Sequence, residues 1–162
     1  MAGRFLRLVN PLTRRLISAG LPTGAPNVLL ATRGRRSGKV RTVPLGLLEL
    51  DGRRFVQASY GETGWVANLR ARGEATLTYP GGDPIPVRAV ELPAHEAAAI
   101  LDRALEPYSR SPVRRAALRL ILGPRFRPPI GVLLTLRVRV DDTLEEYEAD
   151  ARRHPLFELR PA

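Results

Sequence analysis

Asp51-Gly52 stands between two extended apolar runs, Arg41–Leu50 (RTVPLGLLEL) and Arg53–Ser59 (RRFVQAS). An Asp-Gly pair accepts the left-handed backbone of a two-residue hairpin, so the two runs pair antiparallel. That turn commits the chain to an antiparallel sheet, and other segments extend it. Asn27–Thr32 (NVLLAT) is a short apolar run, and Ala75, Leu77 and Tyr79 alternate with Thr76 and Thr78. A turn at Pro80-Gly81-Gly82-Asp83-Pro84 leads into Ile85–Glu91, and Val132–Val140 sets Arg137 and Arg139 on one face against Leu136, Val138 and Val140. Pro44 lacks a ladder donor, which predicts an edge or a bulge in its strand.

Helical signals separate some of these strands. Thr63 caps a short helix over 64–72; Ala94–Glu106 reads as a helix stopped by Pro107; Ser111-Pro112 opens another, closed by Gly123-Pro124. Near the start, Asn10-Pro11 caps a helix that Gly20 ends. Phe5, Leu8, Val9, Leu12 and Leu16 share one face there, with Arg4, Arg7 and Arg14 off it. Such a segment either covers the domain's own core or rests on an anionic bilayer. The pattern is mainly β with helices (α+β): an antiparallel barrel of about six strands with N-terminal and peripheral helices. Residues 1–162 form a single domain, with an amphipathic helical segment at 1–20, the barrel and its helical insertions over 27–140, and a tail at 141–162.

The chain has no cysteine, which excludes disulfides, thiolate metal sites and cysteine nucleophiles. No stretch reaches the roughly 18 uncharged apolar residues of a membrane span. Arg14 and Arg15 interrupt the apolar core that a signal peptide needs. A cytoplasmic location follows, with peripheral contact on the inner membrane face through residues 1–20 as the alternative. The net charge of +10 favours anionic partners.

That charge is concentrated in TRGRRSGKVRTVP, residues 32–44, which holds the only lysine and no acid. Chain reversal makes 33–40 a hairpin loop. Gly34 and Gly38 let the backbone turn amides toward an anion, Ser37 adds a hydroxyl, and Arg35, Arg36, Lys39 and Arg41 add charge-assisted donors. A solvated basic loop is the plainer reading. A P-loop is excluded: the glycine spacing is one residue short, Val40 stands where the Mg²⁺-binding hydroxyl belongs, and a strand follows instead of a helix. Specific nucleic-acid binding lacks its stacking aromatics, and charge alone supports only weak non-specific binding.

A second segment is Gln57-Ala58-Ser59-Tyr60-Gly61, followed by Gly64-Trp65-Val66-Ala67-Asn68-Leu69. Small residues at a strand end let a flat ligand approach the backbone. Trp65 and Asn68 share a helix face at i,i+3, where core packing and capping are their plain roles. There is no nucleophile elbow; His95-Glu96 lacks the second histidine of a zinc helix; His154 lies in the tail. No metal site is expected. An enzyme without acid–base machinery of its own suggests a cofactor that carries the chemistry.

These blocks, Leu29–Leu45, Val56–Ser59 and Trp65–Ala71, resemble the deazaflavin-dependent nitroreductase family, split β-barrel oxidoreductases that use reduced coenzyme F-420. The likeness runs over Asn27–Tyr79. It implies that Arg35, Arg36, Ser37, Lys39 and Arg41 hold the coenzyme's phosphodiester and polyglutamate tail. It implies that Thr42, Val43, Pro44, Ala58, Ser59 and Tyr60 line the deazaflavin ring, and that Trp65 and Asn68 close the pocket. Ser59 or Tyr60 would bond the acceptor or donate a proton, and Tyr108 would line the substrate pocket. The resemblance implies hydride transfer to a small unsaturated acceptor: a quinone, a nitroaromatic or an activated double bond. Related split barrels bind FMN or lipid, which stays open beside it, as does a basic nucleic-acid or membrane-surface module. Monomer and homodimer are both compatible.

Overall fold

The computed structural model describes residues 27–109 and 143–162, with side chains described for 28–105 and 143–162. In chain order the elements are β1 (Asn27–Arg33), β2 (Val40–Leu50), β3 (Arg53–Gln57), α1 (Gly64–Arg72), β4 (Glu74–Thr78), β5 (Pro84–Glu91), α2 (Ala94–Ser109), α3 (Leu144–Arg153) and β6 (Leu156–Pro161). The strands close a barrel in the order β1-β2-β3-β6-β5-β4, every neighbouring pair antiparallel. The hairpin that anchors it forms as the sequence requires: Asp51 and Gly52 both have positive φ, 52° and 73°, and Leu50 faces Arg53. β3 pairs with β2 only over Leu47–Leu50, whereas β1 pairs with it from Val40 to Gly46. Pro44 thus falls where β2 is paired on one side, which is where a missing donor is tolerated.

Alternate residues point inward. Leu30, Leu47, Val56, Leu77, Phe157 and Leu159 fill the barrel, and α1 inserts Trp65, Val66 and Leu69 among them. Burying side chains of this size contributes about 1.5–3 kcal/mol each. α1 ends at Gly73, whose left-handed φ of 67° lets its amide bond the Leu69 carbonyl at 2.7 Å. Arg70 and Arg72 in the last turn oppose the negative end of its dipole. A second apolar cluster lies outside the barrel, where Phe55 and Leu156 meet Ala97 and Ile100 of α2 and Ala151 of α3.

Two expectations are corrected. Residues 141–162 are not a tail: α3 and β6 lie there, and β6 closes the barrel between β3 and β5. The helix expected to stop at Pro107 runs on to Ser109. In the last turn the absent proline amide forfeits a single bond, so the helix survives it. The expected helices at 10–20 and 111–123 and the strand Val132–Val140 lie outside the described residues. Among the described residues no helix is long and apolar enough to cross a membrane.

The topology defines one functional end. β1 and β3 finish there, and β2, β4 and β6 begin there. The β1–β2 loop, the turn after β3, helix α1 and the link from α3 to β6 therefore gather at the same end of the barrel.

Candidate functional site

The β1–β2 loop, residues 34–39, is tied to itself. Gly34 donates its amide to the Lys39 carbonyl at 2.9 Å, and Gly38 donates to the Gly34 carbonyl at 2.9 Å. Arg33 Nη1 donates to the Gly38 carbonyl at 3.1 Å, and the Lys39 amide reaches Ser37 Oγ at 3.4 Å. Gly38 takes a φ of 66°, which any β-carbon would strain. Gly34 is close-packed: a β-carbon there would lie 2.7 Å from Ser37 Oγ. These bonds occupy the amides of Gly34, Gly38 and Lys39 inside the loop, and that of Arg35 goes to Asn68; among the described residues no bond engages the amides of Arg36 and Ser37. The loop's cationic side chains add donors to these amides.

Those side chains are available. Arg35, Arg36, Lys39 and Arg41 are exposed, and among the described residues none of them pairs with a carboxylate. Elsewhere Arg53 and Arg160 share Glu158, Arg70 takes Glu91 and Arg152 takes Glu148, while Arg72, Arg88 and Arg153 also lack a carboxylate partner among the described residues. Ser37, by contrast, turns its hydroxyl into the loop. Val43 packs against the barrel interior, so Thr42 and Pro44 face outward, beside their β1 partners Ala31 and Leu29.

At the same end, β3 finishes in a turn. The Ala58 amide bonds the Pro155 carbonyl at 2.9 Å and Gly61 donates to the Ala58 carbonyl at 2.8 Å. Ala58 and Ser59 are buried, while Tyr60 is 53 % exposed. Gly61, at a φ of 67°, lies against the Arg153 carbonyl at the end of α3. Below this turn Asp150 holds two partners, His154 Nδ1 at 2.6 Å and Gln57 Nε2 at 3.3 Å. His154 is half-buried and paired with Asp150.

Trp65 is 8 % exposed, its ring tilted against Phe157 with centroids 5.7 Å apart. Asn68 is 5 % exposed, and its carboxamide bonds Thr32 Oγ1 at 3.2 Å and accepts from the Arg35 amide at 3.1 Å. Tyr108 falls in the last turn of α2, and its side chain lies outside the described residues. Thr32, Arg33 and Gln57 lie within the blocks the sequence singles out but carry no expected role there, and Asp150 lies outside every block. Among the described residues no cluster of His, Asp and Glu could hold a metal ion.

A 330 Å³ cleft lies across β1, β4 and β5, lined by Ala31, Arg33, Val40, Glu74, Thr76, Pro86 and Arg88 among others. It adjoins the cationic loop through Arg33 and Val40.

The closed six-stranded antiparallel barrel, with a cationic hairpin loop at one end, is a split β-barrel fold. The F420H(2)-dependent quinone reductase family matches residues 9–116, most of the chain, and the chain belongs to that family. It is an oxidoreductase, and its cofactor is coenzyme F-420. A solved "domain-swapped dimer" is similar in fold, with 22 % identity, a TM-score of 0.50, and coverage of 99 % of this chain and 100 % of that one. A solved "F420-H2 Dependent Reductase" is 23 % identical with a TM-score of 0.47, over 83 % of this chain and 94 % of that one. No curated protein matches the chain in sequence.

Proposed function

We propose that the β1–β2 loop grips the anionic tail of coenzyme F-420 and that the protein reduces a small unsaturated acceptor. The observation that carries this reading is the loop itself. Its backbone is fixed by internal bonds, and Arg35, Arg36 and Lys39 project from it, beside Arg41 at the start of β2, without carboxylate partners among the described residues. The donor set fits the coenzyme. Guanidinium groups bind phosphodiester and carboxylate oxygens in bidentate fashion, and the adjacent outer face of β2 offers Thr42 and Pro44 as a low surface for a flat ring. Val43 supports that surface from within the barrel.

When bound, the reduced coenzyme supplies a hydride. This chain's residues orient the reactants, exclude water and stabilise developing charge on the acceptor. Ser59 and Tyr60, at the same end of the barrel, are the groups we assign to bonding the acceptor and handling the proton it takes up with the hydride. Trp65 and Ala58 set the rigid floor beneath that turn. The family supports a quinone as acceptor, and nitroaromatics or activated double bonds are the other acceptors this reading includes.

The test is oxidation of reduced coenzyme F-420 followed by its absorbance, with menadione, a nitroaromatic and an enone offered separately. Turnover with one of them, and none with reduced FMN in its place, supports the reading. Tight coenzyme binding with no turnover of any acceptor leaves a carrier instead of a reductase.

A further inference from the structure

We infer that Asn68, oriented by Thr32, is a positioning residue that sets the cationic loop against the barrel end. The inference rests on the reading that this loop grips the coenzyme.

The bonds within the loop, Gly34 to Lys39, Gly38 to Gly34, Arg33 to Gly38 and Lys39 to Ser37, join residues no more than five positions apart. They fix its internal shape and leave its angle to the barrel undetermined. Asn68 supplies the missing constraint from helix α1, 33 residues away in sequence, by accepting the Arg35 amide at 3.1 Å. A backbone N–H only donates, so the atom facing Arg35 is the carboxamide oxygen. The amide nitrogen therefore faces Thr32 Oγ1 at 3.2 Å, and Thr32, 1 % exposed, is the acceptor that holds this orientation. Both ends of the Asn68 carboxamide are thus engaged by protein atoms. Its part in coenzyme binding is exerted through Arg35 and the loop. The helix that delivers it is itself fixed, because Trp65, Val66 and Leu69 of α1 are locked into the barrel core.

A chain of contacts follows: core packing sets α1, α1 sets Asn68, and Asn68 sets the direction in which Arg35 and its neighbours present their charges. Holding charges in place before the ligand arrives lowers the entropic cost of binding. The same constraint has no direct bearing on the acceptor.

The experiment compares wild type with Thr32→Val, Thr32→Ser and Lys39→Ala. Dissociation constants for coenzyme F-420 come from fluorescence titration, and Arg35 amide exchange in the ligand-free protein comes from NMR. Thr32→Val keeps the side-chain shape and deletes the acceptor. It is expected to raise the coenzyme dissociation constant about fivefold, which corresponds to one ordinary hydrogen bond, and to speed Arg35 amide exchange. The acceptor KM at saturating coenzyme stays put. Thr32→Ser, which restores the oxygen, recovers most of the affinity and the protection. An unchanged constant in Thr32→Val while Lys39→Ala weakens binding overturns this inference alone. A loss that Thr32→Ser fails to recover also overturns it, since packing would then be the cause. If Lys39→Ala leaves binding unchanged, the coenzyme-grip reading itself falls and takes this one with it.

Discussion

The amide of Gly34 donates to the carbonyl of Lys39 at 2.9 Å, closing the loop from which the cationic side chains of Arg35, Arg36 and Lys39 project beside Arg41 at the start of β2. The closure leaves no room for a larger residue at its base. A β-carbon on Gly34 would sit 2.7 Å from Ser37 Oγ and 3.2 Å from the Lys39 carbonyl. Gly34→Ala is therefore expected to rotate Ser37 away and shift the loop backbone. Coenzyme affinity should fall severalfold while the melting temperature, set by the core, changes little. Titration and calorimetry on the same preparation check both halves.

Trp65 packs in the barrel core against Phe157. Trp65→Ala is expected to cost about 3–5 kcal/mol, the range for deleting a large buried aromatic. Trp65→Phe keeps part of the ring contact and should cost markedly less. Urea denaturation followed by far-UV circular dichroism measures both, because the substitution removes the chain's only tryptophan and with it the fluorescence probe.

Glu158 is buried between Arg53 and Arg160, which donate to its two oxygens at 2.7 Å each by their shortest contacts. The Arg53 hydrogen bond, outweighing burial and joined by Arg160, holds its carboxyl down at about 2, below the usual 4.5. A carboxyl more acidic in the folded than in the unfolded chain stabilises the fold at pH values above 4.5. That contribution is lost as pH falls from about 4.5 through about 2. Screening at the half-exposed arginines limits it to about 2 kcal/mol. Glu158→Gln should be less stable than wild type at neutral pH, with the gap closing toward pH 2. A gap independent of pH over that range would show that the ion pairs contribute nothing.

Asp150 ties α3 to the end of β3 by accepting from Gln57 and pairing with His154, while Gln57 Oε1 is buried without a hydrogen-bond partner among the described residues. Asp150→Ala strands the Gln57 amide as well and is expected to cost about 1–3 kcal/mol. Gln57→Leu removes the orphaned oxygen together with the amide, so it should cost less than Asp150→Ala. The opposite order in chemical denaturation would contradict this account of the α3 junction.

How much of this was legible varies along the chain. Strands β1 to β5 were readable because Asp51-Gly52, Gly81-Gly82 and the alternation at Ala75, Leu77 and Tyr79 are local signals. The sixth strand was not: Leu156-Phe157-Glu158-Leu159 is short, and its partners β3 and β5 lie far away in sequence. A signal for α3 was present in Thr143-Leu144-Glu145-Glu146, which forms a capping box in which Thr143 and Glu146 bond each other's amides. In the site, composition and position exposed the charge of Arg35, Arg36, Lys39 and Arg41. Where the loop amides point was invisible, because their partners are backbone carbonyls, one neighbouring hydroxyl and one distant carboxamide. Trp65 shows the same limit: its spacing with Asn68 was readable, but its depth depends on Phe157, 92 positions away, whose ring it meets.

The central claim, that the loop's side chains grip the coenzyme, is tested most directly by titrating coenzyme F-420 into wild type and a Lys39→Ala/Arg41→Ala double variant at several salt concentrations. The expected result is a dissociation constant at least tenfold higher in the variant, about 1.4 kcal/mol, with a shallower dependence on salt. Equal constants and equal salt slopes would contradict the claim and return the loop to an ordinary solvated surface.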